Sequence, residues 1–199
     1  MCIGPDVRTY EYGAEYCQDS CTDMGSHPIL AAKQKWEEIL STRLMIINGP
    51  NLNLLGIREP HIYGSTRLDT IERSCREYAG LLDVELEFHQ SNHEGVIVDL
   101  IQAARERADA IIINPAGLSF TSIPIIDAIK IFEGPVIELH ISNIHARDEL
   151  HRHSKVSGSV KAVICGLGPY GYIVAMQAAV QSLGRIPEAF AAPVRVGPV

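Results

Sequence analysis

The 199-residue sequence is poor in aromatic residues, in basic residues and in long apolar runs. Only 6% of its residues are aromatic, so Ile, Val, Leu and Ala must build most of the core. A net charge of −7 argues against binding nucleic acid through a basic face. No stretch approaches the roughly 20 apolar residues of a membrane span, and MCIGPDVRTYEYG lacks the features of a signal peptide. We therefore predict a cytoplasmic protein that binds neither nucleic acid nor membrane.

The cysteines and the short motifs exclude several further classes. Cys17 and Cys21 have a spacing that could bind metal, but no second pair matches it, so free thiols and no metal are predicted for the N-terminal segment, which also holds Cys2. Cys75 and Cys165 lie in apolar segments and are predicted to be inert core thiols. The chain has no GxGxxG after its first strand and no Walker A, HExxH or GxSxG sequence.

From residue 44 onward, short apolar segments alternate with segments of helical period. LMIIN and AIIIN are continuous apolar runs, typical of strands buried on both faces, and VELEFHQ alternates as a strand nearer the sheet edge does. Strands are also predicted at 135–140 and 161–166, and helices over 68–82, around 96–104, over 121–132 with Pro124 in the first turn, and over 169–183.

This alternation predicts an α/β protein with a flavodoxin-like three-layer fold and a five-stranded parallel sheet. The repeating domain covers residues 44–184. Residues 1–43 are predicted to be an N-terminal extension that is partly helical or loosely ordered, and residues 185–199 are predicted to be a surface tail rich in Pro and Ala.

Amides, hydroxyls and imidazoles follow most of the predicted strands. The segments are NGPN (48–51), QSNH (90–93), NPAG (114–117), HISN (140–143) and GLG (166–168). Ligands of doubly wound sheets bind beyond the carboxyl ends of the strands, so these segments are the place to look for a site. The same residue types also make ordinary turns, but five such segments at one edge favour a pocket for a small oxygenated molecule.

Tyr63, His140, His145 and the carboxylates are the candidates for proton transfer. A free phenol has a pKa near 10 and is less than about 1% ionised at neutral pH, so Tyr63 needs a cationic neighbour to act as a base. Arg58 in the same loop and Arg147 after the fourth strand are possible partners. A turn aromatic that caps the core remains an equal alternative for Tyr63. His140, the last residue of its strand, is preferred to His145 as the general acid.

Five motifs in order resemble the type II 3-dehydroquinate dehydratases: NGPNLNLLGIREPHIYG, QSNHEG, INPAGLSFTSIPIIDAI, VIELHISNIHARDE and VICGLGPYGY, within residues 44–183. The resemblance implies a flavodoxin-like dodecamer of trimers that converts 3-dehydroquinate to 3-dehydroshikimate without metal or organic cofactor. Such a hydro-lyase serves either aromatic biosynthesis in the shikimate pathway or quinate breakdown, and the sequence does not separate the two.

The resemblance also implies a role for each site residue. Tyr63, as tyrosinate held by Arg58 and Arg147, takes the proton alpha to the ketone, and an anti elimination follows through an enolate. Asn51 holds the water that stabilises the enolate, and His140 protonates the departing hydroxyl. The remaining substrate contacts fall to Asn114 and the backbone amides of Ile141 and Ser142, which grip the carboxylate, and to Asp127, which reaches into a neighbouring subunit's site.

Two positions depart from the family pattern. Phe120 stands where the family usually has a substrate-binding His, and His151 stands where it usually has a substrate-binding Arg. Three readings stay open at this stage: a dehydroquinase with a rewired site, a homologue that acts on a different cyclic keto acid, and a non-catalytic homologue. Both changes affect substrate recognition, whereas the predicted proton-transfer residues are intact.

Overall fold

The computed structural model describes residues 41–57, 65–187 and 190. Several sequence predictions lie outside these residues: the extension before residue 41, its three cysteines, the tail after residue 190, and the two loop residues Arg58 and Tyr63. Among the described helices, none has the length and hydropathy of a membrane span.

Five parallel strands form one sheet in the order β2-β1-β3-β4-β5. They are β1 (Thr42–Asn48), β2 (Val84–Gln90), β3 (Ala110–Asn114), β4 (Val136–His140) and β5 (Ala162–Cys165). This order is that of flavodoxin-like sheets, in which the chain reverses its direction of travel between β1 and β3. The predicted fold class is therefore confirmed, and β2 is an edge strand as its alternation predicted.

Four α-helices of the described residues connect and cover the strands: α1 (Leu68–Leu82), α2 (Glu94–Arg107), α3 (Ile123–Ile131) and α4 (Gly171–Ser182). Helix α3 begins two residues later than predicted, because the Ser122 hydroxyl accepts a hydrogen bond from the Ile125 N–H at 3.0 Å and caps the helix. Pro124 lies in its first turn, where a missing N–H costs nothing. Strand β1 begins two residues earlier than LMIIN, because Thr42 and Arg43 already pair with Val84 and Glu85 of β2.

Alternate residues of the strands enter two separate apolar clusters. Leu44 and Ile46 of β1 point to the layer that contains α1 and α4, whereas Met45 and Ile47 point to the layer that contains α2 and α3. All four are at most 1% exposed, which explains why LMIIN lacks polar alternation. The predicted three layers thus arise from one strand sequence that is buried on both faces.

The two described cysteines differ. Cys75 is fully buried in the α1 layer, where burial raises the pKa of its thiol to about 12, so it is inert as predicted. Cys165 ends the edge strand β5 and is only half-buried, so the prediction of a core thiol is wrong at this position.

Candidate active site

A cleft with a cavity volume of about 130 Å³ opens at the carboxyl ends of β1, β3 and β4. It lies at the point where the strand order reverses, the usual ligand position in such a sheet. Three of the predicted catalytic residues line it, namely Asn51, His140 and Arg147. The predicted substrate-binding residues that line it are Asn114, Phe120, Ile141, Ser142 and His151.

Not every predicted contributor reaches this cleft. The segments after β2 and β5 do not line it, so the predicted convergence of all five strand ends is wrong for QSNH and GLG. Asp127 projects from α3, where its side chain is 65% exposed and pairs with Lys130 at 3.4 Å. It is not among the lining residues of this chain's cleft. Arg58 and Tyr63 lie outside the described residues.

A buried carboxylate stands behind His140. Glu138 and His140 are two residues apart on β4, so their side chains share one face of the strand. The Glu138 Oε1 lies 2.7 Å from the His140 Nε2, with the glutamate side chain 0% exposed and the histidine side chain 5% exposed. Sequence reasoning missed Glu138, although a single acidic residue in the apolar run PVIELH was a signal for a paired buried charge.

Glu138 is ionised despite its burial. Desolvation alone would raise its pKa, but hydrogen bonds from His140, Ser154 and Ser157 hold that pKa below the ordinary value of 4.5. A carboxylate only accepts hydrogen bonds, so the His140 Nε2 must carry the proton that joins them. The Nδ1 is therefore the ring nitrogen left to exchange a proton with a ligand, and the carboxylate charge stabilises the protonated ring.

Two serines connect Glu138 to the segment that follows the cleft. The Ser154 and Ser157 hydroxyls each donate to Glu138, both at 2.5 Å. The neighbouring Lys155 N–H donates to the Ser119 carbonyl at 2.8 Å, beside Phe120. This segment therefore ties the carboxylate of β4 to the wall of the cleft after β3.

Phe120 and His151, the two positions that depart from the family pattern, touch each other. Their ring centroids are 5.4 Å apart in an edge-to-face arrangement, and Phe120 also stacks on His140 at 6.4 Å. The His151 Nδ1 lies 2.8 Å from both carboxylate oxygens of Asp148, a hydrogen bond that lowers the pKa of Asp148. One wall of the cleft is thus a row of three rings, with an apolar ring between two imidazoles.

The loop after β1 also lines the cleft. Asn51 has a left-handed backbone (φ 66°), and its N–H donates to the Asn92 side-chain oxygen at 2.9 Å. The Gln90 amide donates to that same oxygen at 3.0 Å. QSNH therefore supports the loop that carries Asn51 and does not itself line the cleft. Gly49 meets β3 so closely that a Cβ there would lie 2.4 Å from the Pro115 carbonyl oxygen.

The charge of the cleft favours an anion. Arg147 supplies a fixed positive charge to its lining, and the described lining residues include no carboxylate. Asn51, Asn114 and Ser142 add uncharged polar groups that can orient an oxygenated ligand. Such a site suits a small molecule that carries both a carboxylate and hydroxyl or carbonyl oxygens.

Residues 42–180 match the family model described as Dehydroquinase class II. The chain belongs to the class II dehydroquinase family. It is 52% identical over 139 residues to "3-dehydroquinate dehydratase 1" of Agrobacterium fabrum, with 70% of this chain and 96% of that protein covered. It is 54% identical over 134 residues to "Catabolic 3-dehydroquinase" of Emericella nidulans, with 67% of this chain and 88% of that protein covered.

A solved class II dehydroquinase has the same fold. The crystal structure of type II dehydroquinase from Butyrivibrio crossotus matches with a TM-score of 0.69 and 39% sequence identity, covering 70% of this chain and 97% of that chain. The predicted family and the predicted enzyme class, the hydro-lyases, are confirmed by these matches. The matches do not assign a role to any single side chain.

Proposed function

We propose that this dehydroquinase family member dehydrates 3-dehydroquinate to 3-dehydroshikimate. The observation that carries the proposal is the Glu138–His140 pair, which opens into a cleft whose described lining holds Arg147 and no carboxylate. An imidazole that a buried carboxylate orients, beside a cleft lined by a guanidinium, suits the loss of hydroxide from a carboxylated substrate as water. The names of the relatives from Agrobacterium fabrum and Emericella nidulans support the same substrate.

In the proposed reaction Tyr63 is the base. As tyrosinate, it removes the proton alpha to the ketone, and the electron pair of that C–H bond enters an enolate. Arg58 and Arg147 favour the ionised phenol, because a guanidinium stays charged at any pH at which the protein is folded. Arg147 lines the cleft, which supports its role. The roles of Arg58 and Tyr63 rest on the family resemblance.

The acid and the binding groups complete the proposal. His140 gives its Nδ1 proton to the hydroxyl that leaves from the beta carbon, so that the C–O bond breaks and water departs. Asn51 holds a water that donates to the enolate oxygen, a preorganised dipole of the kind that lowers such barriers by several kcal/mol. Asn114 and the backbone of Ile141 and Ser142 bind the carboxylate.

The direct test is to mix the protein with 3-dehydroquinate and follow the ultraviolet absorbance of the conjugated enone that dehydration creates. We expect turnover, with kcat in the ordinary enzyme range of about 1–1,000 per second. No absorbance change, together with no binding of 3-dehydroquinate in a calorimetric titration, would contradict the proposal and favour a non-catalytic homologue.

A second candidate is the same elimination on a different cyclic keto acid with fewer hydroxyls. The observation that favours it is the apolar Phe120 ring between His140 and His151, because a substrate hydroxyl against that ring loses a hydrogen bond. An unpaired buried polar group costs about 1–3 kcal/mol.

The variant Phe120→His with His151→Arg separates the two candidates. If the apolar wall excludes 3-dehydroquinate, we expect kcat/KM for it to rise at least about tenfold in the double variant. Because the two rings touch, this rise should exceed the product of the increases that the two single substitutions cause. Phe120→Leu with His151→Arg, which keeps the wall apolar, is the control. If instead the wild type turns over 3-dehydroquinate efficiently, and the double change leaves kcat/KM unaltered or lowers it, then 3-dehydroquinate is the substrate that the present cleft fits.

We propose a dodecamer of trimers for the assembly, as the family resemblance implies. In this arrangement Asp127 acts in a neighbouring subunit's cleft, which fits its exposure on α3 and its absence from the described lining of its own cleft. A light-scattering mass about twelve times that of one chain would support it.

A further inference from the structure

A buried phenol joins the ends of two strands directly beneath the cleft. Tyr172, on the first turn of α4, is 0% exposed. Its Oη lies 2.6 Å from the Asn48 Oδ1 and 3.2 Å from the Asn114 Nδ2. Asn48 and Asn114 are register partners at the carboxyl ends of β1 and β3, so the phenol bridges the strands at the point where their order reverses.

The direction of each hydrogen bond in this bridge is fixed by a backbone carbonyl of β2. The Asn48 Nδ2 donates to the His89 carbonyl oxygen at 3.0 Å, and a carbonyl can only accept. The Asn48 oxygen must therefore face Tyr172, and the Tyr172 hydroxyl donates its proton to that oxygen. Burial raises the pKa of Tyr172, so the phenol keeps this proton at all ordinary pH values.

A phenol oxygen whose proton is already donated can only accept from its second neighbour. Asn114 must therefore turn its nitrogen, not its oxygen, towards Tyr172. The Asn114 oxygen then accepts the Ala116 N–H at 3.3 Å, on the loop after β3. After these two bonds, the amide keeps one N–H, and Asn114 lines the cleft.

We propose that Tyr172 is a positioning residue that fixes the Asn114 amide so that it offers an N–H donor to an oxygen anion in the cleft. The inference rests on the proposed function, in which Asn114 helps to bind the substrate carboxylate. A flipped amide would present its oxygen to that carboxylate and repel it. The β2 carbonyl thus sets the orientation of the Asn48 amide, and the Tyr172 hydroxyl in turn sets the orientation of the Asn114 amide at the binding site.

The orientation itself can be tested without substrate. In NMR spectra of the wild-type protein, we expect one of the two Asn114 side-chain N–H protons to exchange slowly with solvent, because it is bonded to a fully buried oxygen. In Tyr172→Phe that protection should disappear and the amide resonances should shift. Fast exchange of both protons in the wild type would overturn the proposal, whether or not the protein turns over 3-dehydroquinate.

The consequence for binding is tested with 3-dehydroquinate. We expect Tyr172→Phe to raise KM about tenfold and to change kcat less than about threefold, as loss of one well-placed donor to a charged group implies. Tyr78→Phe is the matched control, because it removes a phenol that also bonds a side-chain amide. The Gln177 amide of α4 donates to the Tyr78 Oη at 2.5 Å, and neither residue lines the cleft. The KM of this variant should not change.

A double variant separates positioning from general damage. In an Asn114→Ala background, adding Tyr172→Phe should raise KM no further, because the phenol acts through the amide that is already gone. A further rise equal to that seen in the wild-type background would overturn the proposal. Absence of turnover in the wild type would refute the proposed function alone, since the exchange measurement still decides the orientation of Asn114.

Discussion

We expect Tyr63→Phe to lower kcat for 3-dehydroquinate at least about a thousandfold, within the range that general acid–base catalysis contributes. Phenylalanine keeps the ring but cannot accept a proton. The groups proposed to bind the carboxylate, among them Asn114 and the backbone after His140, are untouched by the change. We therefore expect the dissociation constant for 3-dehydroquinate to stay within about threefold of the wild-type value.

The measurement pairs the enone absorbance assay with calorimetric titration of 3-dehydroquinate into the inactive variant. Tyr170→Phe is the control, because Tyr170 is 62% exposed and does not line the cleft. It should retain wild-type kcat. Wild-type rates in Tyr63→Phe would refute the assignment of Tyr63 as the base, and loss of binding together with turnover would indicate a structural role instead.

The strands could be predicted closely because their burial leaves a direct trace in the sequence. AIIIN is β3 residue by residue, and VELEFHQ is β2 residue by residue. A strand that is covered on both faces needs apolar side chains at every position, whereas an edge strand tolerates alternation. The short strand β5 was predicted one residue too long at each end, and at its carboxyl end the reason is that Gly166 turns the chain with φ 85°.

The site could be predicted only in part, because strand order is a property of the whole sheet. His140 and Asn114 were identifiable as strand ends, and both line the cleft. The end of β2 has the same kind of residues, but β2 lies outside β1, away from the reversal of strand order. Its Asn92 therefore supports the loop of Asn51 and does not line the cleft.

The residues behind the cleft could not be predicted, because their partners are distant in sequence. Tyr172 lies 124 positions from Asn48, and Ser157 lies 19 positions from Glu138. No periodicity in either segment records these contacts. Tyr172 follows Gly171 in α4, and its place in the sequence predicts only a core residue. Gly171 lets α4 approach Leu139 so closely that a Cβ on the glycine would lie 2.8 Å from the Leu139 Cδ1.

We expect Glu138→Gln to lower kcat about a hundredfold or more, because the glutamine has no charge to stabilise the protonated His140 ring. Glutamine also has one acceptor oxygen for the three donors that Glu138 satisfies, so the histidine loses its fixed tautomer or a serine loses its bond. An unchanged kcat in this variant would contradict the role of the pair.

The control is Glu87→Gln, since Glu87 and His89 form the same two-residue pair on β2, at 2.8 Å and outside the cleft. It should leave kcat unaltered.

The pH dependence of stability gives an independent check on the charge of Glu138. Because the folded pKa of Glu138 lies below 4.5, its ionisation stabilises the fold fully above that pH, and the contribution is lost as the pH falls through the folded pKa. The difference in free energy of unfolding between wild type and Glu138→Gln should therefore shrink between pH 7 and pH 3. A constant difference would mean that the carboxylate is not ionised in the folded protein, and would remove the physical basis for a charged partner behind His140.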